Sequence, residues 1–136
     1  MIRRLVITGI LAAALTVAAA PALAKGSPHS DASITLNQGS GVSQSLPQLG
    51  SYVTFNTVVP TNVKTPRVEV LCYQNGALVY GEAGSPDWAF LLGGGGSLWL
   101  SAGGSASCVA NLYYFTWNGG TPGTTYLATT SFAAAG

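Results

Sequence analysis

The segment Arg67–Gln74, the dipeptide Asn75-Gly76 and the segment Ala77–Glu82 constrain the fold of this chain more than any other feature. In the first segment Val68, Val70 and Cys72 alternate with Arg67, Glu69, Leu71 and Tyr73. That is the two-residue period of a strand with unlike faces. Asn-Gly supplies the two positive-φ residues of a type I′ turn, so the second segment returns antiparallel to the first. The same grammar runs along the chain. Strands are predicted at Ala32–Leu36, Tyr52–Val59, Trp88–Leu92, Ser97–Ser101, Ala106–Trp117 and Thr124–Ala133. A further short strand is predicted near Val42–Leu46, inside the Gly-, Ser- and Gln-rich stretch Asn37–Gly50. Turns fall at Pro60–Pro66, Gly84–Asp87, the run Gly93–Gly96 and Asn118–Gly123. No apolar set recurs at helical spacing after residue 24. About seven or eight short antiparallel strands imply an all-β sandwich.

The N-terminus is of another kind. Arg3 and Arg4 precede the uncharged apolar run Leu5–Ala20, Pro21 interrupts it, and Ala22-Leu23-Ala24 offers the small residues of a cleavage site. Met1–Ala24 therefore reads as a secretory signal peptide. The run falls short of the roughly 20 residues of a membrane span, which argues against an uncleaved anchor. Residues 25–31 read as a polar leader and residues 32–136 as one domain. The expected location is extracellular, with no membrane anchor after cleavage.

Cleavage also changes the charge. The full chain holds 5 Lys+Arg against 4 Asp+Glu. Without Arg3 and Arg4, Lys25, Lys64 and Arg67 remain against Asp31, Glu69, Glu82 and Asp87, one more acid than base. No basic patch is left to follow a phosphate backbone or an anionic bilayer, so nucleic acid is not an expected partner. Only 7% of residues are charged. The surface must then consist of Ser, Thr, Asn, Gln and Gly.

Export decides how the two cysteines are read. Cys72 and Cys108 both fall on the apolar faces of their strands, and in an oxidising compartment they pair as one disulfide. A metal site or a thiol nucleophile would need partners, and His29, the one histidine, lies in the leader. No metal and no cofactor is expected. Catalysis has equally little to draw on. Glu69 reads as a sheet-surface charge two positions from Arg67, Asp87 as a turn residue after Pro86, and Glu82 and Asp31 as carboxylates without an evident partner. Gly93–Gly96 is not a phosphate loop, because no Lys or Thr follows at the required spacing. An enzyme is not expected.

The segments Val53-Thr54-Phe55, Arg67–Gly76 and Gly103–Tyr113 together resemble secreted bacterial immunoglobulin-like domains of unassigned function. The resemblance extends from about Ile34 to Phe132, and it implies an immunoglobulin-like sandwich. The chain departs from antibody domains in having only Ala106 where a tyrosine would stand two positions before Cys108. Counted along the chain, Cys72 lies on the third strand and Cys108 on the seventh, which are neighbours in one sheet of such a domain. A cross-strand bridge is the expectation, and a sheet-to-sheet pin the alternative. A weaker resemblance links the chain to the small secreted apoproteins that carry enediyne chromophores. Those usually contain two bridges, where this chain can form one.

With Cys108 facing inward, Tyr113, Phe115 and Trp117 face outward, joined by Leu71 and Tyr73 on the neighbouring strand. This candidate binding face suits a protein partner, including a second copy of the chain. Alternatively its rings line a groove for a glycan or small ligand. The leader or the Asn37–Gly50 loop would hide the face if either folded over it. Trp99 is expected to face outward, and Trp88, Phe90 and Leu92 to lie in the core.

Overall fold

The computed structural model describes residues 31–37 and 45–136. The signal peptide, residues 25–30 of the leader and most of the strand expected near Val42–Leu46 lie outside the described residues. The described chain is all-β, with antiparallel sheets and a single short 3-10 turn at Ser101–Gly103. The strands are β1 (Ser33–Leu36), β2 (Tyr52–Val53), β3 (Phe55–Val58), β4 (Arg67–Gln74), β5 (Ala77–Gly84), β6 (Phe90–Leu91), β7 (Ala106–Asn118) and β8 (Thr121–Ala134).

The main sheet has the order β5-β4-β7-β8. Its hairpins are written in the turn residues. Asn75 (φ 50) and Gly76 (φ 79) close β4 onto β5, as Asn-Gly predicts. Gly119 (φ 61) and Gly120 (φ 90) close β7 onto β8. This turn is tighter than the Asn118–Gly123 loop expected from sequence, because two glycines suffice for two positive-φ positions. Both strands therefore run longer than their alternation alone suggests.

β4 is buried at every second residue: Val68, Val70 and Cys72 have no exposed surface, and Gln74 is nearly enclosed. Ala106, Cys108, Ala110 and Leu112 continue that inner face on β7. The short strands form two further pairs, β1 with β3 and β2 with β6. Tyr52–Val59, predicted as one strand, breaks at Thr54 and changes partner there. One core cluster joins Ile34, Val53, Phe55, Phe90 and Leu92 to the buried residues of the main sheet. The Phe55 ring touches Phe90 and Phe132, each at a centroid distance of 5.9 Å. Each fully buried large side chain contributes about 2 kcal/mol through the apolar surface it removes from water.

Cys72 and Cys108 form a disulfide. They sit directly opposite each other on β4 and β7, with Cα atoms 4.0 Å apart. The bridge is thus cross-strand, within one sheet.

Two tryptophan expectations are corrected. Trp88 is half exposed rather than core, because the turn that bonds its N–H to the Ser85 carbonyl ends the chain reversal before β6 begins. Its indole lies over Gly84, where a Cβ would stand 2.6 Å from the ring, and donates to Glu82 Oε1 at 2.9 Å. Trp99 is buried rather than outward. The expected strand Ser97–Ser101 does not form; the segment instead docks on β5 at one point, where Ser97 Oγ and Leu98 N–H both donate to the Val79 carbonyl. Trp99 N–H bonds Ser97 Oγ, and buried Gln74 holds Leu100 through its C=O and N–H. That geometry turns the largest apolar side chain inward and leaves Leu98 and Leu100 in solvent.

Candidate functional site

Unequal strand lengths create the site. β4 begins at Arg67, which pairs with Tyr113, whereas β7 continues to Asn118. Pro66 has no N–H to extend the β4 ladder, and Thr65 (φ 51) turns the preceding chain out of line. Residues 114–118 and their partners 121–125 on β8 therefore form a two-stranded arm that passes the end of β4. At about 3.4 Å per residue, the arm extends on the order of 15 Å.

The outer face at the base and along the arm is aromatic. Tyr113 lies opposite Tyr126, Phe115 opposite Thr124, and Trp117 opposite Pro122. The Tyr113 and Phe115 rings meet edge to face at 5.5 Å and 85°, and Tyr113 meets Tyr126 at 5.9 Å. Covered by these two neighbours, Tyr113 is buried and supports them. Trp117 is 71% exposed, Phe115 56% and Tyr126 46%. Burial raises the Tyr126 hydroxyl pKa above its ordinary value, and the carboxylate of Glu69 adds to the effect. From Trp88 to Gly136 the sequence has no charged side chain. The arm is accordingly neutral, and Arg67 at its base reaches the other way, to the Ala83 carbonyl on β5.

The five candidate residues share one face of the sheet but not one patch. Leu71 and Tyr73 lie half-buried beside Val109 and Ser107, at the far end from the arm. A polar row separates the two groups. Thr129 Oγ1 donates to Asn111 Oδ1 at 2.8 Å, and Asn111 Nδ2 donates to Glu69 Oε1 at 3.1 Å. Tyr126 and Pro122 belong to the distal group and were not among the sequence candidates. Reading Gly119-Gly120 as a two-residue turn would have found them, since that turn fixes Trp117 against Pro122 and Tyr113 against Tyr126.

Two other features have definite surroundings. Glu82, for which no partner was evident from sequence, accepts from the Tyr80 hydroxyl at 2.5 Å as well as from Trp88. The Gly94–Gly96 run borders a hollow of about 160 Å³ against Leu78–Gly81 of β5. Small-molecule sites usually enclose upwards of about 300 Å³.

The chain matches no known family model, no curated protein and no solved structure. The resemblance to immunoglobulin-like domains therefore carries no family assignment.

Proposed function

We propose that this chain is an exported immunoglobulin-like β-sandwich module that works without catalysis, by associating with protein. Export rests on the signal-like segment Met1–Ala24, and the Cys72–Cys108 disulfide is consistent with it. The observation that carries the association reading is the neutral aromatic cluster on the β7–β8 arm. Phe115, Trp117 and Tyr126 present large rings to solvent on a hydrogen-bonded two-stranded ribbon. Aromatic side chains offer large contact area with only two side-chain torsions to fix, so they bind protein partners at small entropic cost. The alternative, a glycan or small-molecule carrier, finds less support. Tyr113 and Phe115 stand nearly perpendicular rather than forming a coplanar stacking platform, and the exposed rings lie on an open face.

The test replaces Phe115 and Tyr126 with Glu and compares the retention of secreted proteins on the immobilised chain. Bound species are identified by mass spectrometry, and a second copy of the chain is scored among them. Loss of a specific partner with an unchanged circular dichroism spectrum supports the reading. Undiminished retention refutes it, and a glycan array that responds to the wild-type chain would favour the carrier.

A further inference from the structure

The edges of the sheets narrow the partner. A strand edge with unpaired N–H and C=O groups recruits other strands, and natural proteins block such edges with prolines, bulges, charges or cover. Several edges among the described residues carry such devices. On β8, Pro122 lacks an N–H, a bulge interrupts the ladder after Tyr126, and Pro47 and Leu49 pair with Ala135. On β5 there is a bulge beside Tyr73, the Ser97–Leu98 cover at Val79, and the charge of Glu82. The remaining strands are four residues or shorter. The β4-side edge of the arm at residues 114–118 carries no such device, and unlike the plain outer edge of β8 at residues 128–133 it bears exposed aromatic rings. It has no proline, no charge, no bulge of its own and no backbone hydrogen bond from any described residue.

The direction of its backbone groups follows from the disulfide pair. A Cα separation of 4.0 Å marks Cys72–Cys108 as the close, non-hydrogen-bonded kind of cross-strand pair. The β4–β7 register runs from there to Arg67–Tyr113 without a shift. Odd-numbered residues of β7 thus turn their N–H and C=O toward β4, and Phe115 and Trp117 turn theirs toward the open edge. The same alternation puts the missing donor of Pro122 on the outer edge of β8, where an edge proline is tolerated.

We propose that the open edge of residues 114–118 pairs antiparallel with the same residues of a second copy of this chain, about a two-fold axis at Thr116. The inference rests on the association reading and names its partner. Around that axis Phe115 of each copy stands opposite Trp117 of the other. These are the two residues whose backbone groups point outward, so the pairing forms four hydrogen bonds. It also sets each Phe115 ring against a tryptophan on the outer face. The segment is self-complementary because it is uncharged, so no like charges meet across the axis. A distinct partner would be selected by charge or by a shaped pocket, and the arm presents neither. The contact is small, which makes the dimer reversible.

Sedimentation of the disulfide-bonded chain over a concentration series tests the proposal, together with oxidation of two cysteine variants. Wild type is expected to shift from monomer toward twice its mass as concentration rises. At the axis, Thr116→Cys is expected to oxidise to a covalent dimer, whereas Thr129→Cys, exposed on β8 away from the axis, stays monomeric. The pair Phe115→Lys and Trp117→Lys is expected to sediment as monomer throughout, with the wild-type circular dichroism spectrum. If Thr116→Cys misfolds, the lysine pair alone decides. A monomeric wild type, or a dimer that survives both lysines, overturns the proposal. If such a chain still retains another protein through Phe115 and Tyr126, only the choice of partner fails. If retention is also lost, the association reading fails with it.

Discussion

Replacing both Cys72 and Cys108 with alanine removes a bridge between residues 36 positions apart. In the chain-entropy model, a loop of that length restricts the unfolded ensemble by about 4 kcal/mol at 25 °C. The folded state loses less. The bridge lies along a ladder that holds β4 to β7 from Arg67 to Tyr73 without it, so the sheet keeps its register. Both side chains are buried, however, and each vacated sulfur leaves a methyl-sized gap costing about 1 kcal/mol. The expected loss is therefore about 4–6 kcal/mol, comparable to the whole stability of a small domain. Urea titration followed by circular dichroism measures it. With a slope of about 1–1.5 kcal/mol/M for a domain of this size, the midpoint should fall by about 3–6 M. A loss below about 1 kcal/mol would refute the reasoning. It would mean that unfolded chains already keep β4 near β7, leaving the bridge little freedom to remove.

Other substitutions probe separate parts of the structure. Gln74→Leu removes one side chain that donates to the Leu100 and Gly104 carbonyls and accepts from Leu100 N–H. It should cost about 3 kcal/mol in urea titration, with faster amide exchange across residues 97–104. Phe90→Ala, at a fully buried ring, should cost about 3–5 kcal/mol. Trp117→Ala, at an exposed one, should change monomer stability by less than about 0.5 kcal/mol. Burial, then the hydrogen bond to Glu82 and its charge, push the Tyr80 hydroxyl well above the usual tyrosine range. A folded pKa above the unfolded value near 10 stabilises the fold below pH 10, and that contribution disappears as pH rises further. Thermal melts should show an alkaline decline above pH 10 that Tyr80→Phe makes shallower; an identical decline in the variant would exclude Tyr80 as its source.

How much could be read in advance depended on how locally each feature was encoded. The pairing and turn of the β4–β5 hairpin were legible, because alternation at Val68, Val70 and Cys72 and the Asn75-Gly76 turn agree with each other, whereas the bulge beside Tyr73 has no local signal. The disulfide was legible as well, since parity places both cysteines on inner faces. The tryptophans were not. Leu98-Trp99-Leu100 is apolar on both faces, so alternation cannot choose a side. The choice is made by Gln74 and Val79, more than 15 residues away in sequence. Trp88 was misplaced for a similar reason, because its position depends on the bare backbone of Gly84 and on Glu82. The candidate face was legible as parity but not as extent. Alternation put Leu71, Tyr73, Tyr113, Phe115 and Trp117 on one side, whereas the division into two groups depends on where β4 begins.

That starting point also accounts for the distribution of charge. Glu69, Arg67 and Glu82 all sit on β4 and β5, and nothing after Asp87 is charged. A sheet whose β7–β8 half is neutral cannot rely on lysines to keep strands from pairing wrongly, as many edge strands do. It must use backbone devices, and on β8 it does, with Pro122 and the bulge after Tyr126. Placing such a device at Phe115 or Trp117 would carry little cost to the core, because both are exposed and lie beyond the β4 ladder. A lysine at Phe115 or Trp117 would close the edge and raise solubility together. The chain instead puts its two most exposed outer-face rings on that edge. Selection for the monomer alone would favour the charge, so an aromatic edge left without charge or proline is what the proposed pairing of residues 114–118 with a second copy predicts.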